Sequence, residues 1–381
     1  LIGFHCHISL VLRERSIEAP WERNSPMTDT TMEPFVRNAW YVGAWPEELD
    51  EGPFARRIMN EPICLYRDFE GIVGALEDRC CHRGAPLTHG EVMENGLQCG
   101  YHGLTFDRSG NCVEVPGQDT IPTSAHVKSY PVVERQGIIW IWMGNPTLAD
   151  QSEIVDFPYF DLSDKWPYRR DVLHIKTNYM LMMDNLMDLT HLGYVHGRTI
   201  GGQPNTHVAA EMKTTQTENG VHYIRWMPNC DPPPTYIKGG GFTGKVDRWQ
   251  EFEYFAPSSI LQWSGALEFG RDAMENRDQE GFHLRLFHSA TPETDTSFFY
   301  FWSAANGYRQ DDPQATEDLY NEIYPTFIED KEIMEAQQER INEDPDRILV
   351  GIGADRALSY ARVALRRMID AENTQMAVAA E

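Results

Sequence analysis

Within residues 80–103, CCHRGAPLTHGEVMENGLQCGYHG, three cysteines and three histidines crowd together. Cys80 and His82 form a C-x-H pair, Cys99 and His102 form a C-x-x-H pair, and sixteen residues separate the two pairs. Each pair fits a tight loop that aims two donors at one metal, and the residues between can bring the loops face to face. Two thiolates and two neutral imidazoles are the ligand set of a [2Fe–2S] centre in which one iron takes both cysteines and the other both histidines. The same four residues could build a tetrahedral Cys2His2 zinc site. One Cys and one His per loop favours the cluster, because zinc sites more often combine C-x-x-C with H-x-x-x-H. Cys81 adjoins His82, and neighbours on an extended chain point to opposite sides, so Cys80 is expected to be the ligand and Cys81 a packing residue. His89 reads as a polar loop residue and Cys112, just after the turn DRSGN, as structural.

A second constellation lies in DNLMDLTHLGYVH, which holds Asp184, Asn185, Asp188, His191 and His196. Asp184, Asp188 and His191 share one face of a helix. His196 does not, since a five-residue step turns a regular helix by about 500°; Gly193, between the histidines, can supply the break that brings them together. Two such histidines call for a carboxylate to complete the two-His, one-carboxylate site of non-heme Fe(II) oxygenases, which leaves positions open for dioxygen. The alternative is a core histidine that Asp188 merely orients. In LYNEIYPTFIEDKEIMEAQQERI the apolar stripe runs Leu319, Ile323, Phe327, Met334 and Ile341; Asp330 falls in its middle, and Glu329 and Glu332 are expected to point elsewhere. A carboxylate there is costly unless it binds a cation, or else pairs with an arginine. Pro325 is expected to kink this helix or start a new one. A cluster that delivers single electrons complements a site that activates dioxygen, so the two motifs reinforce each other.

The elements that must hold these residues divide the chain in two. From about Val36 to Met143, short β-branched and aromatic runs alternate with Gly, Pro, Asn and Asp, which predicts a small antiparallel β domain. NPTLADQSEIVDFP reads as a linker. From Trp166 onward come a helical stretch, a series of strands through Ala305, and helices from about Asp311, which predicts an α+β domain. In GFHLRLFHSAT the alternation puts His288 with Phe282, Leu284 and Leu286, where it either meets a substrate or is a satisfied core histidine. GGGFTGKV has Val246 where a nucleotide site needs Ser or Thr and reads as a glycine-rich loop.

Two domains also suit 381 residues. Acidic side chains outnumber basic ones 58 to 33, a field that argues against nucleic-acid binding and predicts a basic face on any protein docking by charge. No apolar run approaches the roughly 18 residues that span a bilayer, and LIGFHCHISLVL lacks the basic lead and cleavage site of a signal peptide, so no membrane partner is expected. Seven scattered cysteines fit a cytoplasmic protein rather than a disulfide framework. Residues 1–26, ahead of Met27, read as lying outside the fold.

The C-x-H, C-x-x-H motif and the N-x-x-D-x-x-H-x-x-x-x-H motif of Asn185, Asp188, His191 and His196 resemble those of the oxygenase component of Rieske non-heme iron oxygenases. FVRNAWYVGAWPEEL, LYRDFEGIVGALEDRCCHRGAPL and SATPETDTSFFYFW are similar to the homotrimeric branch that contains vanillate O-demethylase and dicamba monooxygenase, and the similarity runs from about Pro34 to Asp370. The resemblance implies an α+β fold: an all-β Rieske domain at 34–150 and a helix-covered antiparallel β-sheet catalytic domain at 151–381, after an extension at 1–33 expected to be disordered. It implies a [2Fe–2S] cluster on Cys80, His82, Cys99 and His102, and a mononuclear Fe(II) on His191, His196 and Asp330. Asp188 would be the bridge that receives an electron from His102 of a neighbouring subunit in a head-to-tail trimer. The implied partners are a small aromatic substrate, O2, and NADH acting through a separate reductase, with or without a ferredoxin. The implied reaction is hydroxylation of an aromatic substrate, foremost O-demethylation of a methoxylated aromatic acid with release of formaldehyde. A ring cis-dihydroxylase is the runner-up, and a Rieske electron carrier the reading from another class. Asn185, Gln262, Trp263, His288 and Asn306 are the substrate-pocket candidates.

Overall fold

The computed structural model describes residues 34–379, so the extension assigned to 1–33 lies outside the described residues. The N-terminal region builds three small antiparallel sheets. The first sets β1 (Trp40–Ala44) beside β10 (Ile138–Trp142) and β9 (Val132–Arg135); the second joins β2 (Phe54–Ile58), β3 (Glu61–Arg67) and β4 (Val73–Glu77). The third runs in chain order through β5 (Glu91–Met93), β6 (Gly96–Gln98), β7 (Thr105–Phe106) and β8 (Cys112–Glu114). Its strands are two or three residues long, too short to carry a core alone, and they serve mainly to set the two loops that carry the Cys/His pairs.

The C-terminal region is organised on one seven-stranded antiparallel sheet. Its strands are β11 (Tyr168–Ile175), β12 (Glu211–Gln216), β13 (Gly220–Cys230), β14 (Val246–Phe255), β15 (Ser259–Glu268), β16 (Phe282–Thr294) and β17 (Ser297–Asn306), in the order β11-β17-β16-β15-β14-β13-β12. Only β11 breaks the hairpin order, crossing to pair with β17 from Tyr168↔Ala305 to Ile175↔Phe298. The helices α1 (Tyr179–Met187), α2 (Leu192–Val195), α3 (Pro204–Val208), α4 (Pro234–Gly240), α5 (Pro313–Glu343) and α6 (Arg356–Ala379) complete this α+β unit. Among the described residues no helix is long and apolar enough to cross a membrane.

Strand alternation divides the sheet between two neighbours. Leu284, Leu286 and Ala290 of β16 share a core with α1, α5 and α6, whereas Leu261, Phe287 and Phe301 pack with Trp40, Trp140 and Trp142 of the N-terminal β region. The turn after β2 binds β16 through the backbone, Met59 N donating to Pro292 O at 2.9 Å and Asn60 N to Glu293 O at 2.8 Å. The inner strands are therefore buried on both faces, so that β17 (SFFYFWSAAN) reads as a nearly continuous apolar run, whereas the edge strand β12 (EMKTTQ) keeps an exposed face.

Three local expectations differ from the structure. The segment expected as a linker forms short 3-10 turns and buries Ile154 and Phe157 in the core shared by the two regions. The helix runs unbroken from Pro313 to Glu343 through Pro325, because packing of Leu319 and Ile323 before the proline and of Phe327 and Met334 after it fixes the register across the missing N–H. The glycine stretch begins inside α4, whose last residue is Gly240, and turns through Gly241 at φ +68°.

Glu61 shows how the N-terminal sheets are fastened. Its carboxylate takes Arg37 at 2.5 Å, Lys128 at 2.6 Å and the Tyr130 hydroxyl at 2.6 Å, joining chain segments on either side of the three sheets. Burial alone would raise this carboxyl, but the three donors outweigh it and bring it to about 2. A depressed carboxylate stabilises the fold above its unfolded value and ceases to do so as pH falls through the folded one. Glu61→Gln should therefore cost about 1–2 kcal/mol at neutral pH, allowing for partial exposure. Urea titrations at stepped pH should show that deficit in full above about 4.5 and shrinking towards about 2.

Candidate metal centres

The two Cys/His loops hang side by side, one between β4 and β5, the other between β6 and β7. Within them the turns from Cys80 to Ala85 and from Cys99 to Leu104 close in the same way. Cys80 N donates to Ala85 O and Gly84 N to Cys80 O, both at 2.8 Å; Cys99 N donates to Leu104 O at 2.8 Å and Gly103 N to Cys99 O at 3.0 Å. Each turn closes on a left-handed glycine, Gly84 at φ +71° and Gly103 at φ +76°, a conformation that costs glycine little. Cys80 and Cys99 are buried, His82 and His102 are exposed, and the two imidazole rings stand 4.6 Å apart. Burial, then the neighbouring Cys99, pushes the Cys80 thiol up to about 11, so a thiolate here needs a cation beside it. Buried sulfurs beneath exposed rings, one of each per turn, suit a cluster in which one iron takes both thiolates and the other both imidazoles. Cys81 is exposed rather than packed, a correction to its expected role, while Cys112 is buried under the loops and His89 is on the surface.

The second constellation is built by an interrupted helix. Asn178 caps α1, its side chain accepting from Met180 N at 2.9 Å. The helix ends at Asp188, which leaves helical geometry at φ −127° and ψ 100°. Its Oδ1 then accepts from Thr190 N at 2.9 Å and Thr190 Oγ1 at 2.8 Å, starting a new turn. The break expected at Gly193 thus falls at Asp188, because a capping carboxylate resets the register there. Gly193 serves close packing instead: a Cβ on it would lie 2.4 Å from Pro204 Cα.

After this reset, His191 and His196 face Asp330 of α5. His191 Nδ1 donates to Asp188 O at 2.7 Å, and its Nε2 lies 3.7 Å from Asp330 Oδ1. His196 Nε2 is 3.0 Å from the same oxygen, and its Nδ1 is 2.7 Å from Glu329 Oε2. Asn185 Nδ2 donates to Asp330 Oδ1 at 3.0 Å. One donor atom from each of His191, His196 and Asp330 falls within 4.8 Å of the others. Burial lowers the His191 imidazole below its ordinary value; at His196 burial pulls the same way, but Asp330 and Glu329 outweigh it and raise the value. Asp330 is 4% exposed, and among the described residues its ion-pair partners are the two imidazoles, with no arginine. The arginine contact goes to Asp184, which Arg362 reaches at 3.1 Å. A buried carboxylate with two nitrogens turned towards it fits a divalent cation. Glu329, expected to point elsewhere, completes a carboxylate–histidine arm behind that position. No sequence periodicity showed it, since the loop carrying His196 packs on the flank of α5 rather than on its apolar stripe.

An apolar cavity opens above the trio, walled by Phe252, Leu284, Leu286, Ile323 and Phe327. Among the pocket candidates, Asn185, Gln262 and His288 line it. His288 is a satisfied core histidine: Tyr300 Oη lies 2.6 Å from Nδ1 and Gln262 Oε1 3.0 Å from Nε2, and burial pushes its imidazole down to about 3. Trp263 and Asn306 are not in the cavity. Trp263 follows Gln262 on β15 and so takes the opposite face, where its Nε1 donates to Tyr159 Oη at 3.2 Å. Asn306 ends β17 and is spent on Tyr308 O and Thr316 Oγ1, both at 2.8 Å.

Residues 39–131 match the family model described as Rieske [2Fe-2S] domain, and residues 175–371 the one described as Vanillate O-demethylase oxygenase C-terminal domain. The iron–sulfur subunit of the toluene-4-sulfonate monooxygenase system of Comamonas testosteroni is 41% identical over 89% of this chain and 98% of its own length. The vanillate O-demethylase oxygenase subunit of a Pseudomonas strain is 36% identical over 89% of this chain and 96% of its own length. The crystal structure of dicamba monooxygenase with non-heme iron and dicamba aligns at TM-score 0.75 and 32% identity, covering 90% of this chain and all of that one.

The Glu329 arm is separable from the metal position itself. Glu329→Gln should leave the cluster absorbance unchanged and weaken iron retention at the trio by about 10–100-fold. Iron stoichiometry against a competing chelator reads this, and unchanged retention would remove Glu329 from the site.

Proposed function

The chain belongs to the Rieske non-heme iron oxygenases, in the branch of the vanillate O-demethylase oxygenase subunits, and from that premise we propose that it demethylates a methoxylated aromatic acid. The observation that carries this reading is the gathering of His191, His196 and Asp330 at the base of a cavity whose other walls are mostly apolar and aromatic. When bound, a [2Fe–2S] cluster at Cys80, His82, Cys99 and His102 would supply single electrons, and an iron at His191, His196 and Asp330 would activate dioxygen. The chain's own residues do the rest. Phe252, Leu284, Leu286 and Phe327 enclose the ring and exclude water. Asn185 and Glu329 fix the orientation of Asp330 and His196. Replacing one C–H of the methyl group by C–OH consumes O2, two electrons and two protons and yields water; the resulting hemiacetal divides into a phenol and formaldehyde.

Several finer features belong to the same proposal. NADH would feed electrons through a separate reductase, with or without a ferredoxin, and a reductase with a basic face would suit a chain of net charge −25. The working unit would be a cytoplasmic homotrimer, with 34–150 holding the cluster and 151–381 the iron. His102 sits at an exposed tip beside Tyr101, which is 65% exposed. Asp188 is half-buried, and with Oδ1 occupied by Thr190 its Oδ2 has no partner among the described residues. An exposed His102 and a half-buried Asp188 with one free oxygen would suit the two ends of a subunit-to-subunit relay. A second reading, hydroxylation of a methyl group on an aryl sulfonate, is favoured by the 41% identity to the toluene-4-sulfonate relative. Toluene-4-sulfonate, vanillate and dicamba are all aryl anions at neutral pH. Ring dihydroxylation differs by giving a diol and no formaldehyde.

Anaerobically purified protein should contain three irons per chain, against two for an electron carrier. His191→Ala should keep the cluster's paramagnetic resonance, fall to two irons and release no formaldehyde from methoxybenzoates given reductase and O2; retained turnover would sink the assignment. Co-expressing His191→Ala with His102→Ala should restore part of the activity through mixed trimers, and its absence would argue against transfer between subunits.

A further inference from the structure

On β14, Arg248, Gln250 and Phe252 alternate on the face that lines the cavity. Arg248 is 1% exposed. Its terminal nitrogens donate to the carbonyls of Gly201 at 3.0 Å and Ile200 at 2.9 Å, its guanidinium lies 4.7 Å from the centroid of the Tyr236 ring, and its Nε is buried with no acceptor. Among the described residues its polar partners are those two neutral carbonyls. Arg225, on the neighbouring strand, is also buried; it donates to Leu189 O at 3.0 Å, His207 O at 2.8 Å and Gln250 Oε1 at 3.3 Å. His207 stays neutral, pushed down to about 3 by burial first and then by Arg248. The wall at this end of the cavity therefore carries the Arg248 guanidinium and no acid, with Arg225 placed behind it on Gln250.

A buried charge persists when something of opposite sign completes it. The carboxylate lining the cavity, Asp330, is directed at the two metal-binding imidazoles. Arg225 holds Gln250 by its oxygen, which leaves the amide hydrogens of Gln250 free to donate. The net charge of −25 makes the molecule as a whole repel anions, so attraction of an anion has to be local.

We propose that Arg248, assisted by Gln250, takes the anionic head group of the aromatic substrate, a carboxylate or a sulfonate, and so selects aryl anions over neutral arenes. The proposal rests on the oxygenase reading for what the ring is, and it adds how the substrate is chosen. Arg248 anchors substrate and takes no part in the oxygen chemistry. A guanidinium suits the role because its fork matches the paired oxygens of either head group.

The test is anaerobic calorimetry on the iron-loaded holoenzyme, with 4-methoxybenzoate and toluene-4-sulfonate set against their neutral counterparts, methyl 4-methoxybenzoate and toluene-4-sulfonamide. The wild type should bind each anion at least tenfold more tightly than its counterpart; equal affinities overturn the proposal with no variant needed. Arg248→Gln keeps an amide donor for the Ile200 and Gly201 carbonyls and should bring the ratio to near one, with neutral-ligand affinity and iron content unchanged. Retention of the preference by this variant also overturns the proposal. Should Arg248→Gln lose its iron, Arg248→Lys decides: a weakening of at least threefold for anions alone supports the fork, and an undiminished preference overturns it. Failure of the oxygenase reading looks different, since anions would then bind preferentially yet yield neither formaldehyde nor a hydroxylated product.

Discussion

A carboxylate buried in an apolar interior is the constraint from which the catalytic half of this molecule follows. Asp330 sits on the face of α5 that packs against the sheet, where an ionised group without compensation would be strongly unfavourable. The fold answers with two imidazoles, one at each end of the short helix α2, and an amide from Asn185. Such a cluster of donors has more attraction for a cation than its own hydrogen bonds can satisfy. The apolar walls above it strengthen that attraction by keeping water away.

The cluster-binding half obeys a different constraint. Its sulfurs are buried and its imidazoles exposed, so the redox group would meet its surroundings through the histidines. Short strands and two left-handed glycines hold that arrangement, each turn closing back on its own cysteine. Burial of both faces of the seven-stranded sheet, one under helices and one under the N-terminal β region, ties the halves into one core.

The cavity itself is divided by chemistry. One end carries Asp330 and the imidazoles; lining residues from the sheet carry guanidinium and amide groups between aromatic and aliphatic walls. Arg248 and Arg225 also hold the backbone at Ile200, Gly201, Leu189 and His207, on either side of His191 and His196. The groups that would recognise a substrate thus also brace the segment that carries the metal donors.

Much of this was legible in the sequence wherever the relevant residues are close together in the chain. Cys80, His82, Cys99 and His102 announce a metal because each pair lies within one turn, and an acid on an apolar stripe marked Asp330 because helical period is a local property. The α+β division likewise follows from local runs of strand and helix pattern. What tertiary structure alone decided are relations between distant segments: that the helix resets at Asp188 rather than Gly193, that Glu329 backs His196, that Gln262 faces the cavity while Trp263 and Asn306 do not, and that Arg248 is buried among neutral partners. Sequence carries the type and period of each side chain. It does not carry the packing angle between a loop and a helix or the identity of a group's neighbours across the sheet, and those determine which donors meet and which charges are left uncompensated.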